Sequence, residues 1–433
     1  MLFSKPGRGA DLVVRGARVL DPAGGIDARL DVRVDGGVIS QLAESVEANG
    51  HHVVDGRGLV LAPAFVDPHV HLRTPGREDE ETLASGTAAA AAGGYCAIVA
   101  MPNTEPSIDS AAVLGALVEQ ARAEAEIPVG FLAAITKGQA GAELTEMAEL
   151  ADAGAAGFTD DGRPVVSAGL MRRALQYNAI TGRRLALHEE EPTLSRAGQM
   201  HEGAVSAELG LAGYPSVAES AMVGRDLELA AYEGQPLHLL HLSAAESVEL
   251  LERAQARGVR ATAEVTPHHL CLTDEDVRSL DPNLKMNPPL RGASDRAALI
   301  SALRTGTIAC IATDHAPHAR HEKDVPFEEA PFGVTGLETA FAALNTQLVR
   351  PGLLPLTTVI ERMSSGAASI FGLEPPRIAV GAAANLVLLD TDATVTVTEH
   401  GFRSRSVNSW LLGATLTGRI RLTVAAGRVV HEA

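Results

Sequence analysis

Residues 65–72 read FVDPHVHL, a short apolar run that ends in His-Val-His and is the first of eight similar runs in the middle of the chain. Apolar runs that alternate with helix-like stretches predict parallel strands buried on both faces of a sheet. Eight such units fit a (β/α)8 barrel, whose usual size is ~250 residues with insertions allowed. The seven further runs are YCAIVAMPN (95–103), VGFLAAIT (129–136), AAGFTDDG (155–162), RLALHEE (184–190), LHLLHLS (237–243), VRATAEVTPHHL (259–270) and TIACIATDH (307–315).

The two ends of the chain have a different pattern, in which short alternating runs are separated by Gly and Asp. LVVRGARVL and DVRVDGGVISQL lie near the N-terminus, and RIAVG, ANLVLLD and GRIRLTVAAGRVV follow residue 376. This pattern is typical of β-hairpins. We therefore predict a β-sandwich domain built from residues 1–64 and 373–433, with the barrel domain, residues 65–372, between them. A doubly wound open sheet is the structural alternative, although its nucleotide-binding motifs and the GxSxG motif are missing.

Composition narrows the classes of partner. The 433-residue chain carries a net charge of −18, which argues against nucleic acid and against anionic membranes. Cys96, Cys271 and Cys310 lie in apolar runs and form no CxxC pair, so we expect buried thiols in a reducing compartment. The N-terminus has no apolar signal core, and the longest stretch of low polarity, 87–101, is too short to span a bilayer. A cytoplasmic protein is expected.

Polar residues close the apolar runs, and barrel active sites lie at the carboxyl ends of the strands. Four His and two Asp at that end exceed what one tetrahedral zinc ion needs. They suit two divalent ions ~3.5–4 Å apart with a bridging carboxylate. The candidate ligands are His69, His71, one of Asp160 and Asp161, His188, His241 and Asp314.

This set of ligands predicts a hydrolytic chemistry. One ion is expected on His69, His71 and Asp314, and the other on His188 and His241. A water bound to such an ion has its pKa lowered toward ~7, which supplies hydroxide as a nucleophile at neutral pH. The same cations polarise a carbonyl group. Asp314 is expected to act as general acid/base, taking the hydroxide proton and passing it to the leaving nitrogen.

The motifs HVHLRTPG, MPN, FTDDG, TPHHL, KMNPPLR, IATDHAPH and APFGVTG follow one another along essentially the whole chain. Together they resemble those of the bacterial dihydroorotases of the amidohydrolase superfamily. The resemblance implies a zinc enzyme, with two ions favoured over one, that reversibly cyclises N-carbamoyl-L-aspartate to L-dihydroorotate in pyrimidine biosynthesis. Its register favours Asp161 over Asp160 as the bridge. It implies metal ligation by His69, His71, Asp161, His188, His241 and Asp314, and substrate contacts from His71, Arg73, Asn103, Asn287, His318, Phe332 and Gly333.

The implied substrate residues suit an anionic, amide-containing ring. Arg73, which is expected on the same strand face as His71, carries a fork of donors that matches a carboxylate. Asn103 and Asn287 can each donate and accept a hydrogen bond, although MPN and NPP are also turn sequences. The charged segment 318–331 lacks periodicity and is expected to cover the substrate as a lid.

The chain departs from the family pattern at two positions, neither of which is a predicted ligand. Thr74 stands where relatives often carry Glu, and Glu189 follows His188 where Cys is common. Many binuclear relatives use a carbamylated lysine from strand four, where this chain has Asp160 and Asp161. Lys137, which ends strand three, is therefore not expected to serve as a bridge.

Other functions use similar residues. A hydantoinase or allantoinase would share the metal chemistry, but the HLR, KMNPP and DHAPH segments favour dihydroorotase. A catalytically inactive scaffold for aspartate carbamoyltransferase would be expected to have lost ligands, and none is missing. A metal-dependent deaminase is a further alternative, but the FTDDG and KMNPP segments are not typical of that class. A homodimer is expected by analogy with the family. The sequence does not decide whether the protein forms a complex with aspartate carbamoyltransferase.

Overall fold

Two large sheets organise the protein in the computed structural model, which describes residues 1–433. Five strands come first: β1 (Leu12–Asp21), β2 (Ile26–Asp35), β3 (Val38–Ala43), β4 (His52–Asp55) and β5 (Val60–Pro63). The middle of the chain contains β6 (Phe65–Val70), β7 (Tyr95–Ala100), β8 (Val129–Ala133), β9 (Gly157–Phe158), β10 (Arg184–Leu187), β11 (Met200–His201), β12 (Gly213–Tyr214), β13 (Leu237–Leu239), β14 (Ala261–Val265) and β15 (Cys310–Ile311). The last strands are β16 (Leu386–Thr396), β17 (Thr415–Ala425) and β18 (Arg428–Glu432).

The central sheet is a parallel barrel in which each strand lies beside the next barrel strand of the sequence. Its order is β15-β14-β13-β10-β9-β8-β7-β6. The cylinder closes where Val70 pairs in parallel with His315, and the N–H of His71 donates to the carbonyl of His315 at 2.8 Å. The Asp67 carboxylate accepts from the backbone N–H of Thr313 at 3.2 Å, which ties the first strand to the eighth. The prediction of an eight-stranded barrel is confirmed.

Helices lie between most barrel strands and share one hydrophobic core with them. α1 begins with a capping box, in which Thr82 and Ser85 each accept a backbone N–H from the other. No helix has the length and apolar composition that crossing a membrane requires. The helices are α1 (Leu83–Ala92), α2 (Ala111–Glu124), α3 (Met147–Ala153), α4 (Ala168–Asn178), α5 (Pro192–Ser195), α6 (Ala204–Leu209), α7 (Val217–Glu233), α8 (Ala245–Ala256), α9 (Pro267–Cys271), α10 (Ala293–Thr305), α11 (Arg320–Lys323), α12 (Ala340–Leu344), α13 (Leu356–Met363) and α14 (Ser365–Ile370). Short 3-10 helices span Lys137–Gln139, Asp274–Ser279, Pro282–Leu284 and Glu399–Gly401, and a π-helical turn spans Asn345–Val349.

The second large sheet combines strands from both ends of the chain. Its order is β18-β17-β16-β5-β1-β2-β3, with β4 also paired to β1. The two parts of the chain meet where β5 pairs antiparallel with β16, with Leu61 opposite Leu388. The sheet has a buried apolar core of its own, to which both ends contribute. The edge strand β3 also contacts the segment that precedes β16. The N–H of Ile39 donates to the carbonyl of Ala382 at 2.9 Å.

One stretch between β16 and β17 leaves this sheet and packs against the carboxyl end of the barrel. We call residues 397–414 the mouth segment. The Ser406 hydroxyl donates to the carbonyl of Glu80 at 2.7 Å, and the Asn408 amide donates to the carbonyl of Ala316 at 3.1 Å. The sequence pattern grouped these residues with the terminal β domain, because strand periodicity carries no information about contacts to a distant barrel loop.

Candidate metal and substrate site

The ends of five barrel strands bring the six predicted ligands together. His69 lies in β6 and His71 directly follows it, while the other four follow β9, β10, β13 and β15 within a few residues. Side chains beyond the carboxyl ends of barrel strands converge on the same mouth. All six are buried, with exposed fractions of 8% or less: His69, His71, Asp161, His188, His241 and Asp314.

The six side chains form two groups with Asp161 between them. Nε2 of His71 lies 2.9 Å from Oδ1 of Asp314, and Nε2 of His69 lies 3.3 Å from the same oxygen. In the other group, Nδ1 of His188 and Nε2 of His241 are 3.0 Å apart. Oδ2 of Asp161 lies 3.7 and 3.6 Å from His69 and His71 Nε2. Its Oδ1 is 3.5 Å from each nitrogen of the other group.

These distances are compatible with ligands that share metal ions. Two ligand atoms that each lie ~2.0–2.1 Å from a tetrahedral zinc ion are ~3.3 Å apart, which is close to the separations in both groups. Nε2 of His69 is fully buried and has no hydrogen-bond partner. The donor set therefore suits divalent cations.

Three of the four histidines have their second ring nitrogen fixed by an acceptor. Nδ1 of His69 donates to Glu264 at 2.6 Å, and Nδ1 of His71 donates to Asn103 Oδ1 at 2.9 Å. Nε2 of His188 donates to Glu190 at 3.0 Å. Each contact leaves a lone pair on the other nitrogen, directed into the cluster. This is the arrangement that orients imidazole ligands in metal sites.

Asp160 and Asp161 are adjacent but have different surroundings. Asp160 accepts backbone N–H groups from Ile135 at 2.8 Å and from Thr136 at 3.1 Å, and it also accepts the Thr136 hydroxyl. Burial raises the pKa of Asp160 to about 6, although these hydrogen bonds oppose the shift. Its carboxylate supports the loop after β8, whereas Asp161 faces the histidines, as the family register implied.

Glu264 was not identified from the sequence. It lies in β14 and is completely buried, and its other carboxylate oxygen is 3.0 Å from Nε2 of His238. Burial would raise the pKa of Glu264, but the charge of His69 and hydrogen bonds from His238 and His69 lower it to about 2. A single Glu inside the apolar run ATAEV was the available signal, because a buried strand excludes a carboxylate that has no partner.

Glu190, like Glu264, was not predicted from the sequence to take part in the site. One Glu190 oxygen accepts from both His188 and the Asn287 side-chain amide at 3.0 Å. It therefore links a metal-side histidine to a substrate-side asparagine. Glu189 does not line the cavity, and its burial, followed by the charge of the Asp226 carboxyl, raises its pKa well above the usual value.

A cavity of about 270 Å³ opens above the cluster. Every predicted site residue except His69 lines it, and His69 is buried at its base. Arg73 is on the wall, but not as an extension of the strand: β6 ends at Val70, and Arg73 has a positive φ of 57°. The expectation of a shared strand face with His71 is therefore wrong, because the chain turns before Arg73 is reached.

Arg73 is held in place by its neighbours. Its Nε donates to the carbonyl of Pro317 at 3.0 Å and lies 3.0 Å from an oxygen of Glu80, which is completely buried. Its NH2 group lies 3.4 Å from Nε2 of His318. Burial lowers the pKa of Arg73, while the charge of Glu80 raises it. The cavity therefore has a charged guanidinium on the wall near the cluster.

The charged segment after His318 is packed rather than loose. It contains α11, and Phe327 and the Lys323 side chain are buried within it. Nζ of Lys285 donates to the carbonyls of Phe327 and Glu328 at 2.9 and 3.0 Å. Nζ of Lys323 donates to the carbonyl of Pro331 at 2.7 Å. Lys285 therefore holds the segment against the loop that precedes α10, and Lys323 ties two parts of the segment to each other.

The exposed Lys137 pairs with Glu143 on the surface and does not reach the cluster, in agreement with the expectation that it is not a bridge. His268 and His269 are buried in α9. The His269 ring lies 3.0 Å from the carbonyl of Pro288 and 2.8 Å from the hydroxyl of Thr266. His269 thus joins α9 to the Asn287 loop, which is a supporting role.

Known proteins resemble this chain over its full length. A family model described as Dihydro-orotase-like matches residues 58–247. A protein named Dihydroorotase from Geobacter metallireducens is 43% identical over 423 residues, covering 98% of this chain and 100% of the relative. A protein of the same name from Anaeromyxobacter dehalogenans is 46% identical over 424 residues, covering 97% of this chain and 98% of the relative.

Solved structures of hydantoinases share the fold. An L-hydantoinase (dihydropyrimidinase) from Arthrobacter aurescens aligns with a TM-score of 0.87 at 27% identity, covering 98% of this chain and 96% of that one. A D-hydantoinase aligns with a TM-score of 0.84 at 24% identity, covering 98% and 95%. The full-length relatives named Dihydroorotase are much closer in sequence. On the strength of that similarity, this chain belongs to the dihydroorotase family of metal-dependent cyclic amide hydrolases.

Proposed function

We propose that this enzyme interconverts L-dihydroorotate and N-carbamoyl-L-aspartate, as a zinc-dependent step of de novo pyrimidine biosynthesis. The observation that carries the proposal is the cluster of six buried donor side chains beside Arg73, whose side chain is 13% exposed at the cavity wall. The cluster suits amide hydrolysis, and the arginine suits the carboxylate that distinguishes dihydroorotate from a simple hydantoin ring.

The metal would be held by the two groups of ligands described above. His69, His71 and Asp314 would hold one ion and His188 and His241 the other, with Asp161 contacting both; two ions are favoured over one. When bound, zinc supplies Lewis-acid chemistry that polarises a carbonyl and lowers the pKa of water. The acceptors on the outer ring nitrogens would keep the histidines in the tautomers that ligation requires.

Asp314 is the proposed general acid/base. Hydrolysis breaks the ring C–N bond, adds a hydroxyl from water to the carbonyl carbon and adds a proton to the nitrogen. Asp314 lines the cavity, and its Oδ1 lies 2.9 Å from Nε2 of His71 and 3.3 Å from Nε2 of His69. As a carboxylate it can accept the proton of the attacking water. The same carboxyl then delivers that proton to the leaving nitrogen.

The opposite wall of the cavity is proposed to bind and orient the substrate. The Arg73 guanidinium would pair with a carboxylate, and His318 lies next to it. Oδ1 of Asn287 is buried without a hydrogen-bond partner, so it is free to accept an N–H of the ring. The Asn103 side chain and the backbone of Phe332 and Gly333 complete this wall.

Hydantoinase activity is the second candidate, because hydantoinases share the fold. Purified enzyme should be assayed with dihydroorotate, N-carbamoyl-L-aspartate, hydantoin and allantoin, together with metal analysis before and after chelation. We expect turnover of the first pair in both directions, and its loss on chelation with recovery on adding zinc. Hydrolysis of hydantoin without dihydroorotate turnover would overturn the proposal.

An inactive scaffold would give a different result in the same experiment, namely bound zinc with no turnover of any ring. The retention of all six donors supports an active enzyme instead. A homodimer is proposed by analogy with the family and can be checked by sedimentation. Co-sedimentation with aspartate carbamoyltransferase would reveal whether the two form a complex.

A further inference from the structure

Asn408 of the mouth segment makes three side-chain hydrogen bonds at the edge of the cavity. Its Oδ1 accepts the backbone N–H of His318 at 3.0 Å, and its Nδ2 donates to the carbonyls of Ala316 and Gly333 at 3.1 and 3.2 Å. Only 5% of the residue is exposed. A buried amide whose donors and acceptor are all used fixes the position of each group that it touches.

The three partners belong to two different loops that form the substrate wall. Ala316 and His318 lie in the loop after β15, and Gly333 lies at the end of the segment that follows α11. The loops touch at Gly333, which has a φ of +120° and where a Cβ would lie 2.7 Å from the Cβ of Ala316. The Asn408 amide thus bridges two loops that approach too closely for a larger residue than glycine.

The same bridge sets the position of groups that face the substrate. Nε2 of His318 lies 2.8 Å from the carbonyl of Phe332, so the ring of one loop contacts the backbone of the other. Between Ala316 and His318, the carbonyl of Pro317 accepts the Nε of Arg73. A shift of either loop relative to the other would therefore move His318, the Phe332 backbone and one anchor of Arg73 together.

Other contacts of the mouth segment attach it to the opposite side of Arg73. The Ser406 hydroxyl donates to the backbone of Glu80, whose carboxylate pairs with Arg73. The backbone N–H of Arg405 donates to Glu81 at 3.1 Å. The segment is thus held on both sides of the guanidinium, which gives Asn408 a fixed frame from which to position the loops.

We propose that Asn408 is a positioning residue for substrate binding, which sets the spacing between the His318 loop and the Phe332–Gly333 loop. The proposal rests on the proposed function, because it assumes that these loops hold the substrate. One acceptor and two donors are needed at this point, and the carboxamide supplies them in a single short side chain. Asp would keep the acceptor but would place an oxygen against two carbonyl oxygens.

The chain offers a matched control in Asn345. This asparagine is 1% exposed, and its Nδ2 donates to the carbonyls of Thr391 and Thr417 at 3.0 and 2.8 Å. It does not line the active-site cavity. Replacing either asparagine by alanine removes two hydrogen bonds to backbone carbonyls, so both variants should lose a similar amount of folding stability. Only Asn408 lies beside the proposed substrate wall.

The experiment measures KM, kcat, zinc content and melting temperature for Asn408→Ala, Asn408→Asp and Asn345→Ala. We expect Asn408→Ala to raise KM for dihydroorotate about tenfold or more, with a smaller fall in kcat and unchanged zinc, since misplacing substrate contacts by ~1 Å costs up to ~100-fold. Asn408→Asp should raise KM further. Asn345→Ala should lower the melting temperature and leave KM within about twofold of wild type.

The proposal fails if KM of the Asn408 variants stays near the wild-type value, or if Asn345→Ala raises KM equally. Should Asn408→Ala fail to fold, Asn408→Ser, which retains one donor, decides the question by the same criterion. Arg73→Ala distinguishes the role of Asn408 from the role of the substrate wall as a whole. A KM raised by Arg73→Ala but not by the Asn408 variants refutes only the role of Asn408, whereas a KM unchanged in both refutes the proposed substrate wall.

Discussion

The metal side and the substrate side of the cavity are built in different ways. The six donor side chains of the metal side lie in or just beyond barrel strands, so the closure of the barrel brings them together. The substrate side is made of loops, whose positions depend on hydrogen bonds from other segments, such as those of Lys285 and Asn408. The first side is fixed by the topology of the fold and the second by contacts that are particular to this chain.

This difference predicts which property of the enzyme a substitution on each side should change. A change on the metal side should act on the chemical step or on metal affinity, because those side chains have little freedom to move. A change on the substrate side should act mainly on KM, because a displaced loop weakens binding without removing the reacting groups. Three substitutions test this division, and a fourth tests how the mouth segment is held.

The largest effect is expected from Asp314→Asn, which removes the proposed proton carrier. We expect kcat to fall about 10³-fold, within the range typical of lost general acid–base catalysis. Stopped assays of dihydroorotate hydrolysis measure the fall, and circular dichroism checks the fold. Asp160→Asn is the neighbouring control: it removes a loop contact and should lower thermal stability far more than kcat. Substantial residual turnover in Asp314→Asn would exclude it as the proton carrier.

Arg73→Ala should have the next largest effect, and on the other side of the cavity. Loss of a charged donor to a carboxylate at this partly buried position is expected to raise KM by about 10²-fold, with a smaller fall in kcat. Arg77→Ala is a suitable control, because Arg77 also pairs with Glu80 but does not line the cavity. Equal increases in KM for both variants would show that the effect comes from Glu80 and not from the substrate.

Glu264→Gln tests the metal side without touching a ligand. The amide cannot accept from His69 and His238 as the carboxylate does, so zinc affinity should fall about tenfold or more, as is usual when such outer contacts are lost. Competition with a chromophoric chelator gives the affinity directly. Glu219→Gln is the matched control, because Glu219 is also buried but accepts from the N–H groups of Ser243 and Ala244. Unchanged zinc affinity would contradict the orienting role.

The smallest effect concerns Glu338, which accepts the backbone N–H groups of Arg403 and Ser404 in the mouth segment. Burial raises the pKa of Glu338 to about 7 from a usual value of 4.5. A carboxyl whose pKa is raised on folding favours the folded state at low pH, and this contribution is lost as pH rises from about 4.5 to about 7.

Glu338→Gln should therefore reduce the loss of stability between about pH 5 and pH 8, by on the order of 1–2 kcal/mol after allowance for partial exposure. Urea denaturation midpoints of both proteins at the two pH values measure this difference. Identical pH dependence in the two proteins would mean that the raised pKa does not contribute to folding.

The same division explains what could be predicted from the sequence. Apolar runs alternating with helices predicted the barrel, and the polar residues that end five of these runs predicted side chains that meet in one cluster, because parallel strands end at a common mouth. Glu264 left only a weak signal, and Lys285 and Asn408 left none, because their roles depend on hydrogen bonds between segments far apart in sequence. Arg73 lines the cavity as predicted, but a turn and not a strand carries it there.

The pairing of β5 with β16 has a consequence for how the protein is made. Because the ribosome delivers the N-terminal strands first, β5 leaves one edge open while the whole barrel is being translated. That edge is covered only when β16 emerges after the barrel, and the stretch that follows β16 delivers Asn408 to the edge of the cavity. Covering of the β5 edge and bridging of the two substrate-side loops are thus coupled in time, because both wait for residues that are translated after the barrel.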